Sequence, residues 1–527
     1  MFKNRMNSVS KFQLRYLSYI IMNSEISNIL KTSALLTFSG TLMLGGCSQP
    51  ERVVRKPNFI ILMSDNHSPE HLGCYGDKIV KTPIIDKIAN EGIRFTNAFC
   101  SAPSCSPARA SMLTGMEIWR MEEAINLWGI FPVKFEVFPE LLEKAGYHVG
   151  IEGKGWGPGS EEASGRDRNP GGERYYTFEE FYTERQRGQP FFYWFSSRDP
   201  HRPYSRNAGE KAGIDISKIE VPPYLPDTEA VRKDIADYYA EIQSFNNEVS
   251  HYINLLNEMG QLENTVIIIC GDNGWQVPRG LANLYTMGTK VPLIISLPGR
   301  FIGNRVVDDF VKLDNLAPTI LELAGIEIPS YMNAKSLVNI LESEKSGIIN
   351  ESWDFTVTAR ERHAFVRKAG AGYGCRALQT KDFIYIRNYD YESWPAGDPP
   401  LYGDADPHMM HYPAAPKMEI LVNRDDPDVK PLFDLAFGKR PFEELYDLNK
   451  DPYQMVNVAG DPEYQEILSA FSDRLTEYLQ STGDPREAGG KMKWIGAEYF
   501  ATQDFRPRPN HEAIELLGLE EEYSYID

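Results

Sequence analysis

Asn58-Phe59-Ile60-Ile61-Leu62-Met63, followed at once by Ser64-Asp65-Asn66, is an unbroken apolar run that ends in polar groups. A run of that length bounded by turn residues is the pattern of a strand buried on both faces. Working outward, the same design recurs. Tyr147–Ile151 leads into Gly153-Lys154, Phe191–Phe195 leads toward Asp199-Pro200-His201, and Thr265–Cys270 leads into Asp272-Asn273. Pro292–Ser296 is a further strand run. Helical periodicity falls between these runs, over Thr82–Arg94, Val137–Ala145 and Asp234–Met259. Alternating strands and helices predict an α/β chain with a mostly parallel sheet sandwiched by helices. Ligands of such sheets sit at the carboxyl ends of the strands. Asp65, Asn66, Lys154, His201, Asp272 and Asn273 are therefore expected on one rim.

Beyond about residue 370 the texture changes. Arg376–Asn388 alternates like a hairpin turning at Lys381-Asp382, and Glu443–Asp451 and a helix over Tyr464–Gln480 follow. This predicts a smaller α+β subdomain over 371–527, behind a catalytic domain over 58–370. Asp390–Asp428, rich in Pro, Asp and Tyr, reads as a long surface excursion, and Gly155–Gly172 as a glycine-rich loop.

The chain has 527 residues, of which 42% are hydrophobic, and a net charge of -19. That balance argues against nucleic acid as a partner, and any anion site must be a local basic pocket. Aromatics at 12% suit stacking on sugar faces, although large α/β enzymes carry many in any case. Six cysteines are too few for a disulfide scaffold, and any pairing among Cys74, Cys100, Cys270 and Cys375 stays open. The first 46 residues read as a signal peptide, with an apolar stretch over Ser33–Gly46. Leu44-Gly45-Gly46-Cys47 resembles a bacterial lipoprotein box. Lipidation of Cys47 would tether the chain, through the polar segment 47–57, to a bacterial membrane, outer or periplasm-facing. An ordinary secretory signal is the alternative.

Cys105-Ser106-Pro107-Ala108-Arg109-Ala110-Ser111-Met112-Leu113-Thr114-Gly115 sets a reactive side chain beside a helix start. Ser106 is a good N-cap and Pro107 a good first helical residue, so the helix N-terminus favours negative charge near Cys105. Arg109 lies one turn on and can point back to that charge. The oxygen-only set Asp65, Asn66, Asp272 and Asn273 suits Ca²⁺ or Mg²⁺ rather than zinc.

The Cys-x-Pro-x-Arg…Leu-Thr-Gly string resembles the signature of the formylglycine-dependent sulfatases, within the alkaline phosphatase superfamily. The resemblance runs through TPIIDKIANEGIRFTNAFC, PELLEKAGYHVGIEGKG, FFYWFSSRDPHRP, GDNG and ELYDLNKDP. VPPYLPDTEAVRKDIADYYAEI and PRGLANLY are similar to the heparan N-sulfatase-like branch and to bacterial polysaccharide sulfatases. The resemblance implies an alkaline-phosphatase-like fold and a formylglycine made from Cys105 by a maturase of the formylglycine-generating or radical type. It also implies one Ca²⁺ per chain, held by Asp65, Asn66, Asp272, Asn273 and the modified residue 105. Lys154 and Arg109 would hold the sulfate, and His201 would protonate the leaving atom. Arg279, Arg362 and His363 are candidate substrate contacts.

Three positions depart from the family pattern. Asn66 stands where a second aspartate is usual. Trp156 replaces the histidine that helps break down the sulfated intermediate, and Leu281 replaces a basic residue. Of the nine histidines, His67 is the favoured substitute base, with His363 behind it. The function expected is hydrolysis of sulfate esters on a sulfated polysaccharide or oligosaccharide. The rivals are a sulfamidase acting on N-sulfoglucosamine, a phosphoryl-transfer relative, and a glycan-binding lipoprotein whose catalysis has decayed.

Overall fold

The computed structural model describes residues 55–404, 415–501 and 511–519. The stretch read as a signal peptide, Cys47 and most of the segment read as a tether therefore lie outside the described residues. No helix among the described residues is long and apolar enough to cross a membrane.

Eight strands form one sheet in the order β4-β3-β5-β1-β6-β7-β2-β8. They are β1 (Asn58–Ser64), β2 (Ile93–Phe99), β3 (His148–Gly153), β4 (Glu173–Arg174), β5 (Phe191–Ser196), β6 (Thr265–Gly271), β7 (Leu293–Ser296) and β8 (Arg305–Lys312). The sheet is parallel apart from β7, which runs against both β6 and β2. Three of these strands, β2, β4 and β8, go beyond the sequence reading. The helix expected over Thr82–Arg94 stops at Glu91, and β2 follows after Gly92. β8 pairs with β2 at the sheet edge.

The strand β1 shows why the sheet is sandwiched. All seven of its residues are buried. Phe59, Ile61 and Met63 join the apolar cluster that also holds the helix Cys105–Thr114. Ile60 and Leu62 join the opposite cluster, beneath the 30-residue helix Glu229–Glu258. Each such side chain contributes about 1.5–3 kcal/mol by leaving water. Thr228 caps the long helix by accepting from the Val231 N–H.

A second, antiparallel sheet has the order β12-β11-β10-β9, from β9 (Phe355–Arg360), β10 (Cys375–Thr380), β11 (Phe383–Asn388) and β12 (Glu443–Asp447). The hairpin turns at Lys381-Asp382, and the helix Gln465–Ser481 follows. This sheet takes its first strand from residues ahead of 371. The segment read as a surface excursion is in part interior. Asp404 is buried and accepts from Arg360 and Arg367, and Tyr402 packs on Phe437. Cys74, Cys100, Cys105, Cys270 and Cys375 are all free thiols.

Candidate active site

The four strands whose polar ends stood out are neighbours in the sheet, in the order β3-β5-β1-β6. Their shared direction puts Lys154, His201, Asp65 and Asp272 on one rim. The helix bearing Cys105 starts beside them. It begins two residues earlier than expected, with Ser104 at the cap and Cys105 as its first residue. Ser104 and not Ser106 is the capping residue, because Ser104 still has extended backbone (φ -161) while Cys105 is already helical. All ten helix residues are buried, and Gly115 ends the helix with left-handed backbone at φ 62.

At the centre, ligand atoms of Asp65, Cys105 and Asp272 lie within 4.8 Å of one another. Cys105 Sγ is 3.4 Å from Asp65 Oδ1 and 4.0 Å from Asn66 Oδ1, and Asn273 Nδ2 approaches it at 3.7 Å. Arg109, with no solvent exposure, donates from Nε to Asp272 Oδ2 at 2.9 Å and lies 3.5 Å from Asp65 Oδ2. Its NH1 donates to the Gly155 carbonyl at 2.7 Å and to Ser196 Oγ. Lys154 Nζ donates to Asp65 Oδ2 at 2.6 Å. That reach depends on Gly153, at φ 78, where a Cβ would meet the Ser196 carbonyl at 2.2 Å.

The charges are coupled. Burial alone would raise the Asp65 carboxyl, but Lys154, His201 and Arg109 hold it well below the usual carboxylate range. Burial and the Asp65 charge raise Asp272 instead. Two carboxylates facing each other cannot both be comfortable, and Arg109 lies between them. Burial pulls His201 down, against the opposing pull of Asp65. Burial and Asp65 push the Cys105 thiol far up. A thiol in that state is a poor nucleophile, since reactive cysteines are depressed, not raised.

The donor set fits a hard cation. Asp65, Asn66, Asp272 and Asn273 supply only oxygens, all buried, and Asn273 Oδ1 is a buried acceptor without a partner.

Not every sequence candidate reaches this centre. Arg279 does not contact it. It is buried, sits at φ 69, donates to the carbonyls of Leu435 and Gln454, and lies 4.0 Å over the Tyr285 ring. Arg362 likewise donates to the carbonyls of Ala497 and Glu498 and packs over Tyr499. Both guanidiniums hold distant chain segments together. His67 is a core histidine. Nδ1 pairs with Ser64 Oγ at 3.0 Å, the ring sits edge-on to Phe245, and burial pushes it down to about 3. Trp156 is buried against Phe131, and Leu281 is buried too. His363 does come near. Its Nδ1 lies 2.8 Å from Ser104 Oγ, next to Cys105, and burial pushes it down to about 4.

Residues that sequence reasoning missed are Ser196, Gln276 and Asp404. Asn66 Nδ2 donates to Gln276 Oε1 at 3.0 Å, and the Ala364 N–H near His363 donates to Asp404 Oδ1 at 3.1 Å. Only their neighbourhood, just past a strand end or a motif, carried any signal.

Comparison with known proteins gives the chain its family. A family model described as sulfatase matches residues 57–326, and one described as N-sulphoglucosamine sulphohydrolase, C-terminal, matches 271–416. The chain is 28% identical over 509 residues to the N-sulphoglucosamine sulphohydrolase of Homo sapiens, covering 84% of this chain and 93% of that one. It is 26% identical over 496 residues to an ulvan-active sulfatase of Formosa agariphila, covering 82% and 76%. In fold it is similar to BT4656, solved in complex with its substrate D-glucosamine-2-N,6-O-disulfate. That match has a TM-score of 0.59 and 20% identity, over 83% of this chain and 100% of that one.

Proposed function

Because the chain belongs to the sulfatase family, we propose that it is an ester hydrolase that removes sulfate from a sulfated polysaccharide or oligosaccharide, using a formylglycine made from Cys105 and a Ca²⁺ beside it. The observation that carries this reading is the position of Cys105. It stands at a buried helix start, ringed by oxygen donors and two cations, with its own thiol disabled by burial. These neighbours suit an oxygen-bearing group at 105 better than a thiolate. Sγ occupies the place of a hydroxyl of the hydrated aldehyde, which would supply the attacking oxygen. A Ca²⁺ held by Asp65, Asn66, Asp272 and Asn273 would lower that hydroxyl's pKa.

The chain's own groups then divide the work. Lys154 Nζ, on the rim and part-exposed, is free to turn from Asp65 toward a sulfate oxygen. Arg109 bridges the two carboxylates, which both lie beside residue 105. His201 borders the same charges and is placed to pass a proton to the leaving atom. Trp156 offers only an indole N–H donor and cannot accept a proton, so that position supplies no base.

The match of residues 271–416 to the N-sulphoglucosamine sulphohydrolase C-terminal model favours a second reading, cleavage of a sulfamate rather than an ester. Sulfate release from a panel of defined saccharides distinguishes the two. N-sulfoglucosamine, 6-O-sulfated N-acetylglucosamine and ulvan oligosaccharides are assayed with and without chelator. Release confined to N-sulfoglucosamine supports the sulfamidase. Release from O-sulfated sugars, lost in chelator and restored by Ca²⁺, supports the ester hydrolase. No release from any sulfated sugar by matured protein contradicts both.

A further inference from the structure

Asn66 stands where a carboxylate is usual, and an asparagine ligates a cation only if its oxygen, not its NH₂, faces inward. The surroundings of Asn66 decide this. The Arg202 backbone N–H, which can only donate, lies 3.2 Å from Gln276 Oε1, so that atom must be the amide oxygen. Asn66 Nδ2 lies 3.0 Å from the same oxygen and must be the donor. Asn66 Oδ1 is thereby turned to the Cys105 side, 4.0 Å from Sγ. The backbone of Asn66 is pinned as well. Its N–H donates to Asp272 Oδ1 at 3.0 Å, and its carbonyl accepts from Tyr238 Oη at 3.2 Å. Its φ of 61 is left-handed backbone that asparagine tolerates well. The Gln276 backbone is fixed in turn, because Arg202 Nε donates to its carbonyl at 3.1 Å while the guanidinium grips Asp234. Asn66 and Gln276 are 0% and 1% exposed, so water does not compete for these groups.

We propose that Gln276 is a positioning residue that presents Asn66 oxygen-first to the cation and makes this site select asparagine over aspartate at position 66. An aspartate there would set a carboxylate oxygen against Gln276 Oε1, acceptor against acceptor. Turning the Gln276 amide over would set its NH₂ against the Arg202 N–H, donor against donor. Each arrangement leaves a buried polar group unpaired. The Asn66–Gln276 pair is one solution to a single hydrogen-bond problem, and the lost charge is its consequence. This inference rests on the Ca²⁺ reading above.

Calorimetric titration of Ca²⁺ into the metal-stripped full chain tests it without recourse to activity. Gln276→Leu is expected to bind roughly 10- to 100-fold more weakly, the usual effect of losing a ligand's outer support. Gln276→Glu, whose carboxylate accepts from both N–H groups, is expected to keep wild-type affinity. Asn66→Asp is expected to bind no more tightly than wild type despite its added charge. It keeps the proposal testable if Gln276→Leu fails to fold. Wild-type affinity in Gln276→Leu, equal losses in Gln276→Glu and Gln276→Leu, or clearly tighter binding in Asn66→Asp would each overturn the proposal. A wild-type chain that takes up no Ca²⁺ overturns the cation reading itself, and the proposal with it.

Discussion

Cys105→Ala is expected to lower sulfate release by about 10⁴-fold or more while the protein stays folded. The size follows from the site. Every other polar group at the centre is arranged around position 105, and none of them carries a nucleophile of its own. Asp65 is tied to Lys154, and Asp272 to Arg109. The fold should tolerate the change, because Cys105 is a small buried side chain whose sulfur makes only long polar contacts of 3.4–4.0 Å. Steady-state sulfate release and a thermal melt, run together, measure both halves. A variant that retains a tenth of wild-type turnover would remove Cys105 from the chemistry.

Arg109→Met is expected to cost about 3–5 kcal/mol of stability, the range for removing one partner from a buried ion pair. Arg109 is wholly buried and bridges two carboxylates that otherwise face each other. Methionine fills the volume of the stem but leaves Asp65 and Asp272 opposed. Lys154 pairs directly with Asp65 and reaches Asp272 only as a longer-range charge. Ca²⁺ should restore part of the loss, since it would supply the missing positive charge at the same place. At a hundredfold excess over Kd, binding contributes about 2.7 kcal/mol. Denaturant unfolding in chelator and then in Ca²⁺ measures both numbers. A variant as stable as its parent in chelator would show that the carboxylates do not depend on Arg109.

The strands that position the site were legible because β1, β5 and β6 are apolar runs closed by polar residues, while β3 is a shorter strand run that leads into Lys154. That all four stop on one rim followed from the parallel sheet. Less visible was β2, whose IRFTNAF alternates in burial and follows its helix after a single glycine. The helical periodicity of Thr82–Arg94 ran over that boundary. The direction of β7 was also hidden, since a four-residue strand, Leu293–Ser296, carries no sign of which way it runs. At the site, the residue types near the strand ends identified the centre, but not which basic side chains reach it. Arg279 and Arg362 are spent on carbonyls more than a hundred residues away, at Leu435 and Gln454 and at Ala497 and Glu498. Pairings of that separation leave no local trace. Gln276 shows the same limit. Its role comes from Asn66, 210 residues earlier, and from the backbone of Arg202.

The central claim is that position 105 works as formylglycine, and the mass of one peptide tests it most directly. Tryptic cleavage after Arg94 and Arg109 releases residues 95–109, which carry both Cys100 and Cys105. Protein made together with a formylglycine maturase is predicted to give this peptide with one cysteine converted to the aldehyde. Fragmentation should place the change at Cys105 and leave Cys100 intact. Unmodified cysteine at 105 in protein that still releases sulfate would contradict the account.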